Sequence, residues 1–175
     1  MPHRRILRLL INLERIIWPL LAALTLLSGC HRARKPPVST IGMADTEHAD
    51  QLISGFYPVE REKWRWTAQK FTVGLGPPPG SAQRGAKLVL ELYIPDNQIE
   101  KLGPMTLKAE AAGRALDPET FTKPGSYTYS RDLPASLVDT NLVPVNFSLD
   151  KAALPTTTDG RELGAVITGV SLQTK

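Results

Sequence analysis

Lys87-Leu88-Val89-Leu90-Glu91-Leu92-Tyr93-Ile94 alternates apolar and mixed positions without a break. Successive side chains of an extended chain point to opposite faces, so Leu88, Leu90, Leu92 and Ile94 share one face and Lys87, Val89, Glu91 and Tyr93 the other. A segment of this kind buries one side only, as strands of antiparallel sheets do. Met105, Leu107, Ala109 and Ala111 repeat the pattern against Thr106, Lys108 and Glu110. Val143, Val145, Phe147 and Leu149 repeat it against Asn146 and Ser148, although Pro144, which has no N–H to donate, argues for an edge strand or a bulge there.

Outward from these strands, turn signals recur at the spacing of an all-β domain: Gly76 to Gly80, Pro95-Asp96-Asn97, Ala112-Gly113-Arg114, Lys123-Pro124-Gly125 and Thr158-Asp159-Gly160. Helical periodicity is scarce, with single turns at most over Asp132 to Val138 and Asp150 to Leu154. Without helices to serve as crossovers the sheets must be antiparallel and packed face to face. The expected fold is an all-β, jelly-roll-like antiparallel sandwich of about seven to nine strands. The stretch from Trp64 to Leu75 leaves two arrangements open. Trp64, Trp66 and Ala68 have one parity, and Phe71, Val73 and Leu75 the other. A bulge near Gln69 and Lys70 would bring both groups to the core; without it the tryptophans face away.

The chain begins with Arg4, Arg5, Arg8 and Arg15, then an apolar run from Ile16 to Leu27, then small residues, the order of a secretory signal. The run is well short of the roughly 20 residues of a spanning helix. Extending it upstream would bury Glu14 and Arg15, at about 2.5 to 3.5 kcal/mol per charge near the membrane centre. Leu27-Ser28-Gly29-Cys30 resembles the lipobox of bacterial lipoproteins. That resemblance implies a signal peptide over 1–29 and a lipid on Cys30, with the membrane as partner. Cys30 is the one cysteine of the chain, so no intramolecular disulfide exists, and thioether linkage would cap a thiol that is a liability after export. His31 stands where enteric bacteria place the aspartate of inner-membrane retention, which points to the outer membrane. Residues 30–50, with Arg32, Arg34, Lys35, Pro36 and Pro37 and no apolar period, read as a tether, and 51–175 as the sandwich domain.

The net charge of +4 is dominated by the signal. Removing its four arginines and Glu14 from totals of 21 and 17 leaves 17 basic against 16 acidic residues, which gives no basic face for nucleic acid. His3, His31 and His48 all precede residue 51, so the expected domain holds neither histidine nor cysteine. Serine or cysteine nucleophiles activated by imidazole are excluded there, as is zinc, copper or haem held by His or Cys. Gly74-Leu75-Gly76 runs into prolines and lacks the helix start of a phosphate loop. No cofactor is implied. Glu60, Glu62, Glu91, Asp132 and Asp159 leave a carboxylate-only hydrolase as the remaining enzymatic reading.

Two stretches resemble the small β-sandwich modules of uncharacterised bacterial lipoproteins and of some proteins of cell-surface glycan biosynthesis. One is Gly55-Phe56-Tyr57-Pro58-Val59-Glu60 with Trp64-Arg65-Trp66-Thr67. The other is Leu149-Asp150-Lys151-Ala152, Pro155 and Asp159-Gly160-Arg161-Glu162-Leu163-Gly164. The resemblance implies a carbohydrate-binding-like sandwich, with no stated ligand. Glu60, Arg65, Asp159 and Arg161 form a set of opposite charges near the first and last strands. They suit either a sugar site with Trp64 or Trp66 as stacking face, or an ion-pair network with both tryptophans in the core. Tyr127, Tyr129 and Arg131 alternate on one strand and read as the cover of a sandwich edge, or as a second stacking face. Calcium at Asp159 is not expected, since few acids cluster beside it. Two partners fit a non-catalytic module of this kind: a glycan, or an envelope protein docked on a sheet edge.

Overall fold

The computed structural model describes residues 35–175. The expected signal peptide, Cys30 and the start of the tether lie outside the described residues. Among those described, nine strands build two antiparallel sheets: β1 (Thr40–Gly42), β2 (Leu52–Phe56), β3 (Arg65–Leu75), β4 (Ala86–Ile94), β5 (Met105–Ala111), β6 (Arg114–Phe121), β7 (Gly125–Leu133), β8 (Val143–Leu149) and β9 (Val166–Thr174). The first sheet runs from the start of β3 through β9 and β4 to β7, with β1 also against β9. The second runs β2, the end of β3, β8, β5, β6. The fold is an all-β antiparallel sandwich, as the alternating segments require.

β3 belongs to both sheets. Arg65 and Trp66 pair with Ile167 and Val166 of β9, whereas Lys70 to Leu75 pair with Ser148 to Val143 of β8. Through the corner, Thr67, Phe71, Val73 and Leu75 all stay on the core side and all are buried. Of the two arrangements open in the sequence, the chain adopts the one in which parity is kept, so Trp64 and Trp66 face away from the core and are half-buried. The irregularity falls instead on the ladder with β2, where Ser54 sits opposite Thr72 but Phe56 sits opposite Thr67.

Two glycines make this corner possible. A Cβ on Gly55, whose φ is +75°, would lie 2.7 Å from Phe71 Cα and against the Lys70 carbonyl. One on Gly164 would stand 2.6 Å from the Ala68 carbonyl oxygen. Real side chains do not approach backbone so closely, so β2 and the segment before β9 close on the corner only because these positions have none. Inside, Phe71 stacks on Phe147 with centroids 4.9 Å apart, and Tyr129 of the first sheet meets Phe147 of the second edge-on at 6.4 Å. Burying each such ring stabilises the fold by roughly 1.5–3 kcal/mol.

Three expectations are corrected. The tether does not extend to residue 50: Pro36 onward belongs to the folded unit, with Ile41 and Met43 fully buried. Gln51 fixes this segment, its Nε2 donating to the Gly74 carbonyl at 2.6 Å and to that of Val38 at 3.0 Å while its Oε1 accepts from the Val38 N–H. A run of small polar residues hid two buried apolar side chains too sparse to show a period. β8 is interior, between β3 and β5, despite Pro144. Its ladder with β5 ends at Val145–Ala111, so the proline ring lies beside the β5–β6 turn, where no N–H is needed, and its carbonyl accepts from Ala112. Asp150 to Leu154 is not helical, while Asp96–Leu102 is, inside a segment that reads as a turn. Ala135–Val138 forms the single turn expected there.

Candidate functional site

Residues 57 to 66 fold back as a hairpin that leads into β3. Tyr57 N–H donates to the Trp66 carbonyl at 2.9 Å, and Glu60 N–H to the Trp64 carbonyl at 2.8 Å. Its tip holds Arg61 and Glu62 at φ +48° and +55°, a left-handed pair that suits the twist of a hairpin but costs side-chain-bearing residues about 1 kcal/mol or more each. Opposed residues of an antiparallel pair share a face. Tyr57, Trp66, Glu60 and Trp64 therefore project together on the outside of the first sheet.

Arg161, in the segment before β9, reaches this hairpin from about a hundred residues away. Its Nε and Nη2 grip Asp159 at 2.9 and 2.8 Å, its Nη1 donates to Glu60 Oε1 at 2.8 Å, and its guanidinium lies 5.4 Å from the Tyr57 ring centroid. The side chains of Arg161, Glu60 and Asp159 keep 32%, 37% and 34% of their surface, so this is a wet network, not a buried one. The hydrogen bond from the Arg161 side chain, helped by its backbone N–H, holds the Asp159 carboxyl below the usual aspartate range, and Asp159 ahead of Glu60 holds Arg161 above its own. Arg65 does not join them. It donates to the carbonyls of Met43 at 3.0 Å and Tyr57 at 3.2 Å, and so fastens the hairpin to the N-terminal segment.

The two tryptophans differ in surroundings. Trp64 lies on the hairpin with the Arg61 guanidinium 5.6 Å from its ring. Trp66 is aligned with Val166 of β9, which is aligned in turn with Tyr93 of β4. Val166 is buried yet stands outside the central core, flanked by these two rings. Tyr57, Trp66, Val166 and Tyr93 thus form one row across the outer face, and Tyr93 is 36% exposed. Ser126 and Thr128 of β7 share the face beyond Tyr93 and Glu91, and their short side chains keep it low. A low face with half-buried aromatic groups, Tyr93 exposed among them, and a charged, hydrogen-bonding rim can receive a flat ligand that has both apolar and hydroxyl surfaces. Tyr57, Tyr93 and Val166 have no role in the sequence reading. The sole signal for Tyr93 was an aromatic ring on the polar side of an alternating strand.

Other candidates separate. Tyr129 is fully buried, its hydroxyl donating to the Asp117 carbonyl, and Tyr127 packs on Phe121; the stacking-face reading of this pair is corrected, because β7 turns them toward the core and the β6 corner. Arg131 lies over the Tyr129 ring and donates to the Asp117 and Pro118 carbonyls. Among the carboxylates, Glu60 and Asp159 share Arg161, Asp132 pairs with Lys175, and Glu62 and Glu91 stand apart. A glycosidase acid needs a raised pKa, and Asp159 is shifted the other way. His48 belongs to the folded unit after all, since the unit begins before it, with Nδ1 2.8 Å from Asp45 Oδ2. Among the described residues no three His, Cys, Asp or Glu side chains converge as metal ligands, and no helix is long and apolar enough to cross a membrane.

No family model matches this chain, and no curated protein matches it. Among solved structures, it is similar to a carbohydrate-binding module CBM36 in complex with calcium and xylotriose (8% identity, TM-score 0.41, covering 78% of this chain and all of that one). It is also similar to the CBM36-1 domain of a multidomain xylanase from the hindgut metagenome of Trinervitermes trinervoides (11%, 0.36, covering 61% and 71%). A third is a family GH115 4-O-methyl-α-glucuronidase with specificity for decorated arabinogalactans (8%, 0.45); it matches over 82% of this chain but only 18% of its own length.

Proposed function

We propose that this chain is a non-catalytic envelope lipoprotein whose sandwich binds a glycan on the outer face of its first sheet. The observation that carries the reading is the row Tyr57, Trp66, Val166 and Tyr93, with Arg161 and Glu60 at its rim. Sugar rings present apolar faces that stack on aromatic groups and hydroxyls that exchange hydrogen bonds with carboxylate and guanidinium at the edge. A protein partner would call for a continuous apolar edge. The exposed large apolar residues Ile53, Leu142 and Leu154 sit on separate segments instead.

The lipid on Cys30 is the second half of the proposal. It rests on the lipobox-like Leu27-Ser28-Gly29-Cys30 and the leader before it. Because the folded unit starts at Pro36, only His31 to Lys35 would separate lipid from domain, at most about 18 Å of extended chain. The module would then work close to the membrane, and the residue after Cys30 favours the outer one.

Two experiments test the halves separately. Trp66→Ala should weaken binding to a glycan array or to cell-wall material at least tenfold with a near-normal melting temperature. A collapse of stability with undiminished binding by the remaining folded protein would make Trp66 structural. Cells fed a clickable fatty acid should label the protein, and label persisting in Cys30→Ser would sink the anchor.

A further inference from the structure

The second sheet turns a different surface to solvent. Lys70 of β3, Ser148 of β8 and Lys108 of β5 stand in register across three adjacent strands. With strands about 4.8 Å apart, the two lysine Cα atoms are about 10 Å apart and the serine hydroxyl rises between them. Both lysines are exposed, and among the described residues neither enters an ion pair. One step along the strands a second row follows: Thr72 Oγ1 donates to Asn146 Oδ1 at 2.9 Å, and Asn146 Nδ2 donates to Glu110 Oε1 at 3.4 Å. Both rows line one cleft of about 430 Å³.

Two exposed cations about 10 Å apart repel each other weakly, since the distance is close to the screening length of ordinary salt. A bound anion would remove that cost. The adjoining row narrows the choice of anion. Glu110, about 6.8 Å further along, repels a bare multivalent ion but accepts from a hydroxyl, and Asn146 and Thr72 lie beside it.

We propose that this cleft binds an acidic sugar, its carboxylate held between Lys70 and Lys108 over Ser148 and its hydroxyls donating to Glu110. The site lies on the opposite sheet from the aromatic row and stands independently of the function proposed above. Titration of the full-length chain with trigalacturonate, with its carboxyl-reduced neutral trimer and with inorganic phosphate tests it. Trigalacturonate should bind at least tenfold more tightly than the neutral trimer, and phosphate should not displace it. Lys70→Gln and Lys108→Gln should each weaken it about tenfold or more, the effect of losing a hydrogen bond to a charged group. Lys108→Arg should retain binding, and Trp66→Ala should leave it intact. Failure of trigalacturonate to bind, displacement by equimolar phosphate, or indifference to both glutamine substitutions would overturn the proposal.

Discussion

The two outer faces of this sandwich are built on the same strand yet differ in kind. Trp64 and Trp66, just before and within the start of β3, belong to the outside of the first sheet; Lys70 and Thr72, a few residues on at the same parity, belong to the outside of the second. Between them the chain turns the corner while Thr67, Phe71, Val73 and Leu75 remain in the core. Packing therefore dictates one parity of β3 and leaves the other free. Nothing in the core requires tryptophan at 66 or lysine at 70. The free parity carries aromatic groups beside an ion-paired rim on one side, and on the other two lysines that enter no ion pair among the described residues.

The comparison breaks most completely at the corner itself. Gly55→Ala adds a Cβ against the Lys70 carbonyl and Phe71 while forcing alanine into a left-handed conformation. Overpacking costs about 1–3 kcal/mol and the backbone strain about 1–2 kcal/mol more. Chemical denaturation should register a loss in the upper part of that summed range. Both faces should fail together, since β3 positions each; selective loss of one would show that the corner is not their common support.

A smaller effect separates the faces. Trp66→Ala truncates an aromatic anchor, worth about 2 kcal/mol or roughly thirtyfold in affinity where such a side chain is central. Neutral glycan binding should fall by that factor while binding of trigalacturonate persists, and Lys108→Gln should do the reverse. Titrating both variants with both ligands gives four affinities; loss of both ligands in either variant would merge the two faces into one site, and a ligand indifferent to the variant of its own face would remove that residue from its site.

How much of this was legible in the sequence follows from what each face asks of it. Core strands announce themselves by parity, so Leu88 to Ile94 and Met105 to Ala111 appear where alternation puts them. An ion pairing of Glu60, Asp159 and Arg161 was one of two readings that opposite charges at the two ends of the domain allowed, and Arg65, of the same type, went to backbone carbonyls instead. The rows across strands were not legible. Trp66 meets Tyr93 only through Val166, and Lys70 meets Lys108 only through Ser148, because register between distant strands is a property of the assembled sheet. Ile41 and Met43 are hidden in the sequence for a related reason: three residues of β1 are too few to show a period.

The smallest effect concerns the rim of the aromatic face and appears only in acid. The Arg161 side chain holds the Asp159 carboxyl below its ordinary value of 3.8. Above that value Asp159 is ionised in folded and unfolded chains alike, and the pair's contribution to stability is fully present. As pH falls through 3.8 toward the folded-state pKa, the unfolded chain takes up a proton that the folded chain refuses, and the contribution is lost. Asp45, held down by its hydrogen bond with His48, adds a slope of the same sign from the N-terminal segment. Arg161→Gln should therefore change stability little at neutral pH, as expected of a solvent-exposed network, while flattening part of the acid slope that Asp159 contributes; His48→Ala should flatten part of the slope that Asp45 contributes. Since among the described residues no such carboxylate pairing supports Lys70 and Lys108, glutamine at either lysine should leave the acid slope as it is. A Lys108→Gln protein with an altered slope would mean that the second face holds a carboxylate partner of its own, and its cations would not be waiting for a ligand.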